Sequence, residues 1–427
     1  MFRLVLLSCL ISGIYSLVIN PRADQLEWTA LGDSYASGVG STDYVDGRRC
    51  LRYNEAYPVQ LNNDSELSAG DHIFNNVPCS GALAAEIAEW QLLDEKKDTG
   101  PSWQYGPRPA FGNPSFATLT AGGDDIDFPG IIFNCIIDVS LWFGGPTRRT
   151  CEDQRAHSWE LLKSDDLVNN LDSLIQKIVE KGRNGPIGDK FKLYATGYPK
   201  FFSTETTECD NVTFARSANP VDDGKDHPRM TLQVRQDFNN MSDALNEAIR
   251  SAVGRNSDKG VTFIDIEKDN FGDDALKGHR YCEPGVKEPD TENPELYMWH
   301  YPYKEASDDA QTDPTVALLS GAYSQVVGQL NAQDILIKWP NTVDMQNAMY
   351  DAIDETKLQE KATSTTAGWD SIGFRARVFH PQVVYHRFIR DRIFAQYRQD
   401  NPPAPCTSEE CCPSGCTCGS SGVPLCS

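Results

Sequence analysis

Five short apolar runs, each closed by turn residues, punctuate the first two thirds of the chain: residues 28–31, 72–77, 116–121, 191–196 and 261–266. Runs this brief and this continuously apolar read as strands buried on both faces. Between them the period changes. Leu167, Leu171, Leu174 and Ile178 recur at three- and four-residue spacing, widened by Val168, Ile175 and Val179. That stripe predicts an amphipathic helix. Val234, Phe238, Met241, Leu245, Ile249 and Val253 predict a second, and residues 82–93 a shorter one after the second strand. Strands alternating with helices make βαβ units, so the expected fold is α/β: a three-layer α/β/α sandwich with a five-stranded parallel sheet.

Other stretches break that rhythm. Residues 97–113, rich in Pro, Gly and aromatics, read as a loop. Residues 284–376 form a large insertion with helical pieces at 316–330 and 344–361 and a run of aromatics at Tyr297, Trp299, Tyr301 and Tyr303. We expect it over the carboxyl ends of the strands, where such sheets gather functional loops. The plainer alternative is a packing subdomain without substrate contact. At the N-terminus, Arg3 followed by an apolar run over 4–14 and small Ser16 reads as a signal peptide, residues 1–16. A spanning helix needs about 20 apolar residues, so this run is too short for one. The main domain is expected over 17–400. Residues 401–427 are a Pro-rich linker and a disulfide-rich C-terminal tail, which is expected to be held by its cysteines rather than by a core.

Composition narrows the setting. Of 13 cysteines, Cys9 falls in the N-terminal run, leaving an even number that suits full pairing in an oxidising compartment. Cys50, Cys79, Cys135, Cys151, Cys209 and Cys282 are spread through the body, where neighbours in sequence are expected to pair. Cys406, Cys411, Cys412, Cys416, Cys418 and Cys426 crowd the tail. Sequons begin at Asn63, Asn211 and Asn240, and suit a secreted glycoprotein. A net charge of −22 argues against nucleic acid as a partner and against anionic lipid surfaces. No later segment reads as membrane-spanning, so no integral membrane association is expected. No His/Cys/Asp spacing matches a metal site and no glycine loop cradles a phosphate, so neither metal nor cofactor is expected.

The chemistry concentrates in four places. The first apolar run leads straight into Gly32-Asp33-Ser34, followed by a helix-compatible segment through Gly38. A serine at the carboxyl end of a first strand stands where open α/β sheets bind ligands. Alone, the tripeptide is a common turn. After the second run comes Asn76-Val77-Pro78-Cys79-Ser80-Gly81, and after the third Gly122-Gly123-Asp124-Asp125. Near the C-terminus stands Phe379-His380-Pro381, opening a helix.

In this order the four segments resemble blocks I, II, III and V of the SGNH (GDSL) hydrolases, over roughly residues 27–398. Gly278-His279-Arg280-Tyr281-Cys282 is also similar to a feature of secreted fungal members. The resemblance implies a flavodoxin-like sheet and a secreted serine ester hydrolase. Its substrate would be a carboxylic ester, on a lipid or an O-acylated polysaccharide, cleaved through an acyl-enzyme on Ser34. His380 would be the general base. The oxyanion hole would be formed by Ser34, Gly81 and Asp124.

Two departures qualify that mapping. Position 124 carries Asp where the family has Asn, so the side chain donates to an oxyanion only if burial keeps it protonated. Position 377 carries Arg where the family has Asp three residues before the His, which leaves a Ser–His dyad oriented by a backbone carbonyl, with Asp370 in reserve. Both departures also fit an alternative, a catalytically silent binding or surface-interaction protein. The joint survival of Ser34, Gly81 and His380 favours the enzyme. His386 is expected to be structural. His72, His157, His227, His279 and His300 carry no catalytic pattern.

Overall fold

The computed structural model describes residues 26–67, 71–94, 108–137, 149–215, 227–290, 293–300, 314–328, 330–353, 369–402, 416–418 and 424–426. The expected signal peptide and Cys406, Cys411 and Cys412 lie outside the described residues, as do Tyr301, Tyr303 and most of the 97–113 loop.

Among the described residues the body has seven strands: β1 (Leu26–Gly32), β2 (Tyr44–Asp46), β3 (Arg52–Tyr53), β4 (His72–Asn76), β5 (Phe116–Thr120), β6 (Lys192–Thr196) and β7 (Val261–Ile264). Five of them form one parallel sheet in the order β4-β1-β5-β6-β7. These are the five apolar runs. β5 occupies the middle and is buried throughout, which is why its sequence shows no polar alternation. β2 and β3 make a small antiparallel hairpin beside the sheet.

Helices cover both faces, giving three layers. Asp165–Arg183 and Leu232–Gly254 pack against each other with their predicted stripes inward. Ser164 caps the first, its hydroxyl accepting from the Asp166 N–H, and Thr231 caps the second by accepting from Val234. On the opposite face Tyr57–Asn62 packs on Val383–Asp400. That is the face of Phe116 and Thr120: Tyr397 packs on Phe116, and the Tyr57 hydroxyl lies 3.0 Å from that of Thr120. The helix Cys151–Lys163 escaped the sequence reading because its few apolar positions form no stripe. Residues 82–93 form one helical turn, Ala84–Glu86, followed by a wider π turn over Ile87–Gln91.

Disulfides join Cys50 to Cys79, Cys135 to Cys151 and Cys209 to Cys282. Each pairs sequence neighbours, as expected. In the tail, Cys416–Cys418 and Pro424–Cys426 pair as antiparallel strands β8 and β9.

Within 284–376 the described helices are Pro314–Val327, Ala332–Lys338, Thr342–Ala352 and Trp369–Ala376. They share a second small core, in which Tyr323, Ile335, Met345, Met349 and Ile372 join Val39, Leu51 and Tyr53. The insertion is anchored at the N-terminus of Thr342–Ala352. The Thr342 N–H donates to Asp127 (2.8 Å), and Arg149 reaches the Pro340 carbonyl (3.0 Å).

Candidate active site

The chain leaves β1 for β4 on one side, then crosses back to β5 on the other. A crevice opens at such a reversal beyond the carboxyl ends of the strands. Three of the four motif segments emerge there. Gly32, at φ +141°, closes β1 where an added Cβ would collide with the Thr120 carbonyl, so only glycine fits. Asp33 then caps the turn Ser34–Ser37, accepting from the Tyr35 N–H at 2.9 Å. Beyond β4 the backbone stays bound to β1, with Val77 N–H donating to Ala30 (3.2 Å) and Cys79 N–H to Gly32 (3.0 Å). The Cys50–Cys79 disulfide holds this segment, and Gly81 follows at φ +78°. Asp124, buried, opens the turn after β5.

His380 arrives between the insertion and the last helix, in a loop clamped by backbone hydrogen bonds. The Phe379 N–H donates to the Trp299 carbonyl (2.8 Å), the Trp299 N–H to His380 (2.9 Å), and the His380 N–H to Arg377 (2.8 Å). The Tyr35 hydroxyl donates to the Phe379 carbonyl (2.7 Å), which ties the loop directly to the segment of Ser34. Phe379 itself sits at φ +62°, a left-handed conformation disfavoured for an aromatic residue. Its ring is packed among Phe201, Phe202 and Tyr281, at 5.2, 5.6 and 4.6 Å between centroids, and that packing holds the conformation in place.

The His380 Nδ1 lies 3.0 Å from the Val378 carbonyl. A carbonyl only accepts, so Nδ1 carries the proton and Nε2 is the basic nitrogen. Nε2 is shielded and makes no hydrogen bond among the described residues. Burial pushes the imidazole down to about 4. Asp370 does not orient it. That side chain is exposed, while its backbone carbonyl accepts from Tyr53 (3.2 Å).

Acidic groups crowd beneath the serine. Burial pushes Asp33 up to about 7, against the donors Tyr198 and Tyr35; the Tyr198 hydroxyl donates directly to its carboxylate. Burial likewise raises Asp125 to about 6, although it accepts from the Ala84 N–H at 3.0 Å. Asp124 is driven well above the usual carboxylate range, chiefly by burial and then by Asp33, Asp125 and Glu86; Arg49 opposes them. The buried Arg49 guanidinium, lowered to about 10 by desolvation, hydrogen-bonds Asn347 of the insertion. A carboxyl that stays protonated donates as an amide does.

Ser34, Gly81, Asp124 and His380 line one cavity of about 110 Å³. Its remaining walls are mostly apolar: Phe128, Ile132, Phe133 and Ile137 from the segment after β5, and Leu319, Met345, Met349 and Ile372 from the insertion. The other histidines stand elsewhere. His386 is buried, its Nδ1 accepting from the Tyr57 N–H at 3.2 Å. His72 meets Asn62, His279 stacks on Tyr297, His300 pairs with Glu288, and His157 lies near Asp127. His227 is buried and does not line the cavity. Among the described residues no cluster of His, Cys, Asp or Glu could hold a metal ion. The sequence reading expected a backbone carbonyl beside His380 without naming the residue, which is Val378; it missed Tyr198 and Arg49, neither of which stands in a motif. It also missed the wall Phe128–Ile137, whose apolar run was open to view.

No family model matches the chain. Lipase 1 of Streptomyces coelicolor is 24% identical over 259 residues, which cover 60% of this chain and 72% of that lipase. A lipase of Streptomyces rimosus is 29% identical over 127 residues, covering 29% of this chain and 39% of its own length. The crystal structure of phospholipase A1 from Streptomyces albidoflavus aligns at a TM-score of 0.39 and 24% identity, over 60% of this chain and 84% of that one. With the two sequence likenesses beside this fold and this crevice, the chain is an ester hydrolase. Within that class, its four ordered segments and its five-stranded parallel sheet resemble those of the SGNH/GDSL hydrolases.

Proposed function

We propose that the chain is a secreted hydrolase of carboxylic esters bearing an apolar acyl chain, with Ser34 as nucleophile and His380 as general base. The observation that carries this reading is one cavity lined both by Ser34, Gly81, Asp124 and His380 and by mostly apolar walls. His380 Nε2 takes the Ser34 hydroxyl proton as Oγ attacks the ester carbonyl. The tetrahedral oxyanion is held by the backbone N–H groups of Ser34 and Gly81 and by the protonated Asp124 carboxyl. Collapse expels the alcohol, which takes the proton from His380. Water, deprotonated by the same imidazole, then releases the acid and regenerates Ser34.

The acyl reading is favoured over sugar stacking by the use to which the insertion's aromatics are put. Tyr297 stacks between His279 and Tyr385, and Trp299 lies under the Arg377 guanidinium. Secretion is supported by the signal-like N-terminus, by three disulfides in the body, and by sequon asparagines Asn63, Asn211 and Asn240 that are all exposed. Among the described residues no helix is long and apolar enough to cross a membrane.

The test is a panel of p-nitrophenyl esters, triglyceride, phospholipid and acetylated xylan, with Ser34→Ala as blank and a fluorophosphonate as label. Turnover of acyl esters that vanishes in Ser34→Ala, with the label on Ser34, supports the reading. Undiminished turnover in Ser34→Ala defeats it.

A further inference from the structure

A second cavity of about 40 Å³ lies behind the first. It is lined by Ile131, Phe201, Met241 and Leu245, among others, and its few polar neighbours are already satisfied. The Tyr198 hydroxyl donates to Asp33 and accepts from the Gly123 N–H (3.1 Å), and the Ser242 hydroxyl donates to Phe238 (3.4 Å). A water needs two to four polar partners, so a space of this kind suits hydrocarbon. A cavity of roughly 10–15 Å³ on this measure holds one water-sized group, so this one has room for a few groups of that size.

Phe128 lines both cavities. Its ring stacks on Phe201, with 5.6 Å between centroids and 16° between planes, and the residue is half-buried. Its backbone is fixed by the turn at Asp127, which holds φ +56°, and by Pro129 immediately after it.

We propose that Phe128 sets the acyl-chain length this enzyme accepts, as the partition that closes the second cavity off from the catalytic one. The inference rests on the acyl-ester reading above. A chain entering from Ser34 meets the Phe128 ring, which keeps methylenes beyond that point out of the dry space on its far side. Shortening the ring would join the cavities and let a longer chain bury its end. Each newly buried methylene is worth about fourfold in binding, so two of them raise the preference for long over short esters by at least about tenfold.

The experiment compares kcat/KM for p-nitrophenyl butyrate, octanoate, laurate and palmitate in the wild type, Phe128→Ala, and Phe128→Ala combined with Met241→Phe, each checked for a wild-type circular dichroism spectrum. The expected result is a tenfold rise in the long-to-short ratio for Phe128→Ala, reversed when Met241→Phe refills the space. An unchanged ratio in folded Phe128→Ala, or an equal loss at every chain length, overturns the proposal. If Phe128→Ala fails to fold, Phe128→Leu is expected to move the ratio the same way by about threefold, and no movement overturns the proposal there too. Failure of the underlying reading looks different: the wild type itself then hydrolyses none of the four esters, or Ser34→Ala hydrolyses them equally well.

Discussion

The Nδ1 of His380 hydrogen-bonds the carbonyl of Val378, two residues earlier in the same loop, at 3.0 Å. A peptide carbonyl thereby does the orienting that the family usually assigns to a carboxylate. It fixes the tautomer and ring angle, but it brings no negative charge to stabilise the imidazolium. Asp370→Asn is therefore expected to leave kcat/KM within about twofold of wild type, whereas His380→Ala lowers kcat by roughly 10⁴-fold or more. Steady-state kinetics on one p-nitrophenyl ester separates the two. A large loss in Asp370→Asn would show that the carboxylate reaches the imidazole during turnover.

The environment of His380 also predicts its working range. The proposed base acts when neutral, and burial has moved the titration of His380 down to about 4. Protonation therefore removes activity only as the pH falls through about 4, well below the ordinary histidine value of about 6.5. The acid limb of kcat/KM, which reports the free enzyme, is expected near pH 4, with a flat profile from about 5 to 7. A limb near 6.5 would mean that the imidazole is hydrated in the working enzyme.

The sheet was legible because parallel strands buried on both faces leave continuous apolar runs, and all five runs became strands. Ser34, Gly81, Asp124 and His380 were legible as motif positions. Their meeting in one cavity was not, because it depends on β1 standing between β4 and β5, and pairing order leaves no local mark. Arg49 reads in sequence as a surface charge. Its burial beneath the insertion arises from contacts with Asn347, far along the chain. That a backbone carbonyl would orient His380 was expected from the missing Asp at 377, but that Val378 supplies it had no signal, since every residue carries a carbonyl.

Arg377 stands where the family pattern has Asp, and its surroundings predict that restoring the acid does not help. Its guanidinium lies 4.1 Å from the Trp299 ring centroid and 4.0 Å from that of Phe374. Trp299 is the residue whose backbone clamps both Phe379 and His380. Two such cation–π contacts contribute about 1–2 kcal/mol together. Arg377→Asp loses them, and Nδ1 already has its acceptor. We expect Arg377→Asp to lower kcat/KM by up to about tenfold and to reduce the melting temperature, read by thermal denaturation beside the kinetics. A gain in kcat/KM would show that the backbone carbonyl is a poor substitute.

Asp124 supplies the sharpest test of the oxyanion hole. Burial and the acids around it raise its titration well above the usual range, which favours the neutral carboxyl in the folded chain. The unfolded chain releases that proton from about pH 4 upward. The folded state thus binds more protons than the unfolded state over this window, and stability falls as the pH rises through it. Asn at this position donates a hydrogen bond without titrating. Asp124→Asn is therefore expected to match wild type in melting temperature near pH 4 and to exceed it by a margin that grows toward pH 8. In kinetics, wild type loses kcat/KM at high pH as the donor ionises, while Asp124→Asn keeps its activity there. Two pH–rate profiles that superimpose would mean that the side chain at 124 does not touch the oxyanion, and that the backbone N–H groups of Ser34 and Gly81 hold it alone.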